Sequence, residues 1–197
     1  MAGAGQNTQR AFIAVALPGR VKKSLKELQE GLWQFGIRMK YTDPENIHLT
    51  LKFLGDIRAE DAEAIGGRLS AVTAEHAPME LFAKGMGVFP GIRRARVLWT
   101  GVAGQTEMLG RLQKEVEEAM AAMNFEKENR RFTGHLTLGR FKGKSDPELL
   151  ADAVREFGGF ASDAFDADSL HLFESILTPG GPVYRILSSH PLAGKKI

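Results

Sequence analysis

Two stretches of the chain, HLTLKF at residues 48–53 and HLTLGRF at residues 135–141, set a histidine two positions before a threonine, with leucines between. Side chains alternate across a strand, so His48 and Thr50 share one face while Leu49 and Leu51 share the other. His135 and Thr137 stand in the same relation to Leu136 and Leu138. With the leucines packed underneath, each stretch offers an imidazole and a hydroxyl to the opposite surface. If two halves of the molecule are related by a twofold axis, that surface gathers two histidines and two threonines.

The chemistry open to such a group is narrow. Neither histidine has a carboxylate and a nucleophile at triad spacing. Zinc takes three or four protein ligands, and this set supplies only two good ones. The chain has no cysteine, which removes disulfides, thiolate metal sites and a thiol nucleophile. Two imidazoles with an ordinary pKa of about 6.5 can instead divide a proton transfer, one neutral as base and one protonated as acid. Threonine hydroxyls can donate to the non-bridging oxygens of a phosphate. Displacement at phosphorus puts attacking and leaving oxygens in line on opposite sides, a geometry that a twofold-related base and acid satisfy. Arg140, beyond His135, is read as sharing its face if the strand persists, where it would clamp developing negative charge.

The elements around the two stretches repeat. AFIAVALP reads as a buried strand closed by Pro18, and Val21, Leu25, Leu28, Leu32 and Phe35 then recur on one helix face before YTDPEN leads to the first motif. ARVLWTGV reads as a strand, Leu109, Leu112, Val116, Met120 and Met123 form a helix face stopped at Asn124, and EKENRR leads to the second motif. A helical stretch and a strand follow each copy: Ala62, Ile65, Leu69 and Val72 before MELFAKGMGVF, and Leu150, Val154 and Phe157 before FDADSLHLF. SILTPGGPVYRIL reads as a hairpin turned by PGGP. The tetrapeptide therefore marks equivalent points in two diverged copies of one unit.

At 197 residues, 43% hydrophobic and 25% charged, with net charge +2, the chain has the balance of a soluble globular protein. Residues 1–10 read as a disordered leader and 11–197 as one domain of two interleaved lobes. AFIAVAL after Arg10 is short for a signal peptide, and PGRVKK stands where a cleavage site should be, so a cytoplasmic location is expected. No stretch approaches the roughly 20 apolar residues of a membrane span, and no membrane partner is expected. His171 is read as structural because Phe173 stands where threonine should be; His76 and His190 are expected at the surface. Phe12, Trp33, Phe89 and Trp99 follow core spacing. The basic clusters Arg93-Arg94-Arg96, Arg130-Arg131 and Lys142-Lys144 are read as solvated faces, with Arg130 and Arg131 the pair nearest a motif and able to touch an RNA backbone.

HLTLKFLG and HLTLGRF resemble the paired HxTx signatures of the 2H phosphoesterases. With AFIAVALP, GVFP, VLWTGV and the closing SIL and VY, the chain is similar from about residue 10 to residue 192 to the RNA 2′,3′-cyclic phosphodiesterases, formerly called 2′–5′ RNA ligases. The resemblance implies an α+β, bilobal fold, each lobe an antiparallel sheet with helices on its outer face and the active-site cleft between them. It implies hydrolysis of RNA 2′,3′-cyclic phosphate ends to a 2′-phosphate, with minor 2′–5′ ligation, needing no metal and no cofactor. On that reading His48 is the proton donor to the departing 3′ oxygen and His135 the proton acceptor from water. Thr50, Thr137 and Arg140 bind the phosphate, and a monomer is the expected state. One departure is Gly134, where the family commonly has proline before the second histidine. Two rival readings of the same residues are a phosphate- or RNA-binding module without catalysis, and a metallohydrolase with His48 and His135 as ligands.

Overall fold

The computed structural model describes residues 8–195. In chain order its elements are β1 (Thr8–Ala16), α1 (Gly19–Phe35), β2 (Lys40–Tyr41), β3 (His48–Arg58), α2 (Asp61–Ala74), β4 (Met79–Phe89), β5 (Val97–Gly104), α3 (Thr106–Ala121), β6 (His135–Arg140), α4 (Pro147–Glu156), β7 (Phe165–Ala167), β8 (Ser169–Thr178) and β9 (Gly181–Pro191). β1 starts earlier than the expected leader allows, because Thr8, Gln9 and Arg10 pair with Arg58, Ile57 and Asp56 of β3. The rest of that leader, residues 1–7, lies outside the described residues.

The strands form two antiparallel sheets, ordered β3-β1-β8-β9 and β2-β6-β5-β4-β7. The sheets are built by exchange. In the first copy of the repeat β3 pairs with β1, and in the second β6 pairs with β5. The third strand of each copy crosses over: β4 pairs with β5 and β8 pairs with β1. FDADSLHLF, read as one strand, is split at Asp168, so that β7 joins β4 in one sheet and β8 joins β1 in the other. The closing hairpin β8–β9 turns at PGGP as expected.

Helices cover the sheet faces carrying the motif leucines, and one buried core runs through both halves. Leu49, Leu136 and Leu138 are fully buried, and Leu51 nearly so, each contributing roughly 1.5–3 kcal/mol by leaving water. Val21, Leu25, Leu28 and Leu32 form the buried face of α1, and Leu109, Leu112, Val116 and Met120 that of α3. Phe35, assigned to the α1 face by spacing, lies partly exposed at the helix end. Trp33 is also exposed, with the Arg38 guanidinium 3.9 Å above its ring, and is no part of the core.

Both motif strands carry a β-bulge at the same place. Ile13 pairs with Lys52 and Ala14 with Thr50, leaving Leu51 as the extra residue. Leu98 pairs with Gly139 and Trp99 with Thr137, leaving Leu138 extra. Burial runs identically along the two: His48 and His135 partly exposed, then buried, partly exposed, buried, buried, and finally exposed at Phe53 and Arg140. A bulge breaks the two-residue alternation. Regular pleating would set Arg140, an odd number of residues from His135, on the opposite face; the expectation of a shared face fails on its own reasoning, and the bulge restores the outcome.

A glutamine from the other copy of the repeat reaches each bulge. Gln29 on α1 donates its side-chain N–H groups to the carbonyls of Leu138 (2.9 Å) and Thr42 (2.7 Å). Gln113 on α3 donates to the Leu51 carbonyl at 3.4 Å. The Leu138 carbonyl also accepts the Thr42 backbone N–H at 2.9 Å, so Gln29 adds a second donor there and supplies one to the Thr42 carbonyl, and both glutamines help hold the bulges. Replacing Gln29 by Leu is expected to lower stability by about 1–3 kcal/mol in denaturant unfolding. Gln113→Leu should cost less, its bond being longer. An unchanged midpoint in Gln29→Leu would contradict this role.

Candidate active site

The motif strands β3 and β6 meet between the two sheets. There, a cleft of about 1120 Å³ is lined by Thr50, His135, Thr137 and Arg140 together with the connection between α3 and β6. His48 stands at the head of β3, close enough to His135 for the two charges to repel. Four of the five residues expected from the sequence line one cleft, while His48, at the head of β3, is not among its lining residues and is linked to the site through its charge interaction with His135.

The two imidazoles are held alike. His48 Nδ1 lies 2.8 Å from the Asn46 carbonyl and His135 Nδ1 lies 2.8 Å from the Thr133 carbonyl, each two residues upstream. A carbonyl only accepts, so Nδ1 carries the proton in both rings. Nε2 is therefore the free nitrogen of each, basic when neutral and acidic when protonated.

Their surroundings differ. His48 stacks on Phe12 at 4.6 Å between ring centroids and meets the edge of Tyr184 at 5.1 Å. Phe12, Ala14 and Phe173 form a small separate apolar cluster on this face of the sheet. Burial there lowers the His48 pKa from 6.5 to about 4, the Asn46 carbonyl raising it and His135 lowering it further. His135 is more open, edge-on to Phe89 at 5.1 Å and to Trp99 at 6.1 Å. Gly87 makes room for that indole, since a Cβ there would lie 2.3 Å from the Trp99 ring. Phe89, read as core, is partly exposed and lines the cleft.

Gly134, the departure before the second motif, is packed against its neighbours. A Cβ at this position would lie 3.3 Å from Leu109 and 3.4 Å from Val102, so a side chain there would crowd these residues. Tyr184 is a site residue that strand alternation did not single out. Burial raises its pKa, and Arg140 and Arg10 both act on its hydroxyl in the opposite sense. The cleft is basic: apart from Lys52 and Glu117, which pair with each other, five Lys and Arg residues line it against two Glu, an excess larger than the net charge of the whole chain. A groove of one sign concentrates anions.

The remaining histidines lie apart from this site. His171 bonds Ser189 at 2.8 Å and packs on Phe173, in keeping with a structural role. His190 and His76, expected at the surface, are buried instead. His190 is held between Ser70 and Ser188, each at 2.8 Å, and His76 lies 3.0 Å from Glu115. Glu115 and Ser70 come from distant segments, which local spacing does not reveal. Among the described residues no group of three or more His, Asp or Glu is placed to hold a metal ion. No helix among them is long and apolar enough to cross a membrane.

The LigT-like phosphoesterase family description matches this chain twice, over residues 15–99 and 101–184, so the repeat seen in the sheets is also the family's own unit. The chain belongs to this family, within the 2H superfamily. Among curated relatives, an RNA 2′,3′-cyclic phosphodiesterase of Aeropyrum pernix is 37% identical over 83% of this chain and 92% of its own. One of Archaeoglobus fulgidus is 36% identical over 90% and 97%. The solved structure of TT0787 from Thermus thermophilus superposes with a TM-score of 0.78 at 26% identity, covering 95% of this chain and all of that one. The apo structure of Escherichia coli LigT shares the fold with a TM-score of 0.72.

The His48 environment has a consequence for stability. Between pH of about 6.5 and about 4 the unfolded chain binds a proton that the folded site refuses, so stability falls as pH falls through that window. His48→Gln removes this contribution. Thermal melts from about pH 7 to about pH 4 should show a shallower loss in the variant than in the parent. Equal slopes would show that His48 is not held neutral.

Proposed function

We propose that this protein hydrolyses RNA 2′,3′-cyclic phosphate ends to 2′-phosphates by two-histidine acid–base catalysis. The observation that carries the reading is the pair of Nε2 atoms left free by matched carbonyl contacts at the heads of twin bulged strands, beside the basic cleft that Thr50, His135, Thr137 and Arg140 line. The names and coverage of the curated relatives support the substrate class.

The cyclic phosphate sits with its non-bridging oxygens toward Thr50, Thr137 and Arg140. His135 Nε2 takes a proton from water as the water oxygen bonds to phosphorus. On the far side the P–O3′ bond breaks, and His48 Nε2 gives its proton to the departing oxygen. The products are a 2′-phosphate and a free 3′-hydroxyl, and the two rings recover their starting states through solvent. The low pKa of His48 sets a condition on the first step: in the empty cleft the ring is neutral, and the bound phosphate anion must raise its proton affinity. Substrate therefore brings about the protonation of the acid. Binding of a nucleoside 2′-phosphate near neutral pH is accordingly accompanied by proton uptake.

His48→Ala and His135→Ala should each reduce turnover of a cyclic-phosphate-ended oligonucleotide by roughly 10²–10⁴-fold, with the 2′-monophosphate as the parent enzyme's product. Activity should persist in excess EDTA. Full activity in either variant would rule out this mechanism, loss in EDTA would favour metal chemistry at the same histidines, and tight RNA binding without turnover would favour the binding module.

A further inference from the structure

The cleft is larger than the roughly 300–1,000 Å³ of a site for one small ligand, and one wall is irregular chain. Residues 122–134 contain neither helix nor strand, so the shape of that wall depends on whatever holds it. Lys52 does. It lies on β3 next to the bulge, only 5% exposed, with its ammonium turned inward. Its Nζ donates to Glu117 Oε1 on α3 at 2.6 Å and to the Glu126 carbonyl at 2.8 Å. The same Glu117 oxygen accepts the backbone N–H of Glu128 at 2.9 Å. One buried ion pair thus ties the motif strand, a helix and two points of the connection together.

We propose that the Lys52–Glu117 pair is a clamp that fixes this wall, and that Arg130 and Arg131 on it bind the phosphodiester linkages upstream of the reacting ribose. The proposal rests on the cyclic-phosphate reading of the site. Both arginines are exposed and line the cleft, in the segment running directly into His135. Neither is among the ion pairs of the described residues, whereas the nearby Glu117 is neutralised by Lys52. Glu126 and Glu128 also border the wall, and the Glu128 carboxylate accepts the Arg130 backbone N–H at 3.3 Å. Arg96 adds a further cation to the cleft. Guanidinium groups suit phosphate oxygens, and a single strand passing them would carry its charge along the basic groove. A buried pair of this kind is poor evidence for stability and better explained as fixing position.

The test compares a nucleoside 2′,3′-cyclic monophosphate, which has no upstream linkage, with an oligoribonucleotide bearing the same end. In Arg130→Ala/Arg131→Ala, and in Lys52→Met, kcat/KM on the oligonucleotide should fall about tenfold or more beyond any loss on the mononucleotide, chiefly through KM. The slope of log KM against log salt should shrink by about 0.7 per lost phosphate contact. Lys52→Met/Glu117→Leu, which leaves no buried charge unpaired, should behave as Lys52→Met does. Hydrogen exchange on the unaltered protein tests the clamp without any substitution, since the Glu128 amide should exchange slowly. Equal losses on both substrates, or none, would overturn the subsite, and rapid exchange at Glu128 would overturn the clamp. If the parent protein turned over neither substrate, the failure would belong to the reading of the site itself.

Discussion

At Leu51 and again at Leu138 a motif strand carries one residue more than its neighbour, and the cleft is assembled around those two irregularities. Before each bulge the pleat sends a histidine and a threonine to one face and leucines to the core. After it the order is reversed, so that Lys52 turns inward while Phe53 and Arg140 turn out. Without the bulges the arginine would be buried on the wrong side of its sheet and the Lys52 ammonium would stand in the cleft. The Leu138 and Leu51 carbonyls at the bulges accept side-chain bonds from Gln29 and Gln113, each sent from the opposite copy of the repeat. The two halves therefore complete each other at the points where the sheets depart from regularity.

The same duplication gives two imidazoles identical orientation and unequal settings. Matched Nδ1 contacts fix the working nitrogen in both, while an aromatic floor of Phe12 and Tyr184 surrounds only His48. Two groups with equal proton affinity would compete for one proton, whereas unequal environments separate their roles. In the free protein burial holds His48 neutral, and an anion arriving in a basic cleft reverses that balance. Charge on the substrate thus prepares the catalyst, and an uncharged analogue would leave His48 in its resting form.

Much of this was legible in the sequence, for identifiable reasons. The HxTx alternation and the leucine faces of α1 and α3 are local patterns with one physical solution, and the structure follows them at His48, Thr50, His135 and Thr137. The repeat announced two matched halves and the family resemblance an antiparallel sheet in each, but the exchange of third strands was not legible, since pairing between copies leaves no trace in either copy alone. The break at Asp168 was hidden for the same reason. Bulges are written in hydrogen-bond register, so parity misjudged why Arg140 faces the cleft. Buried His76 and His190 mark the limit of periodicity, because Glu115 and Ser70, far away in the chain, meet them, and Trp33 lies exposed under Arg38 despite its core spacing.

The central claim is that the two Nε2 atoms flank one phosphorus from opposite sides. A crystal structure with a ribonucleoside vanadate, whose five-coordinate vanadium imitates in-line displacement, addresses it directly. The account predicts one anion with its two apical oxygens within hydrogen-bond reach of His48 Nε2 and His135 Nε2, and its equatorial oxygens on Thr50, Thr137 and Arg140. An anion held by one imidazole alone, or seated elsewhere in the cleft, would contradict it.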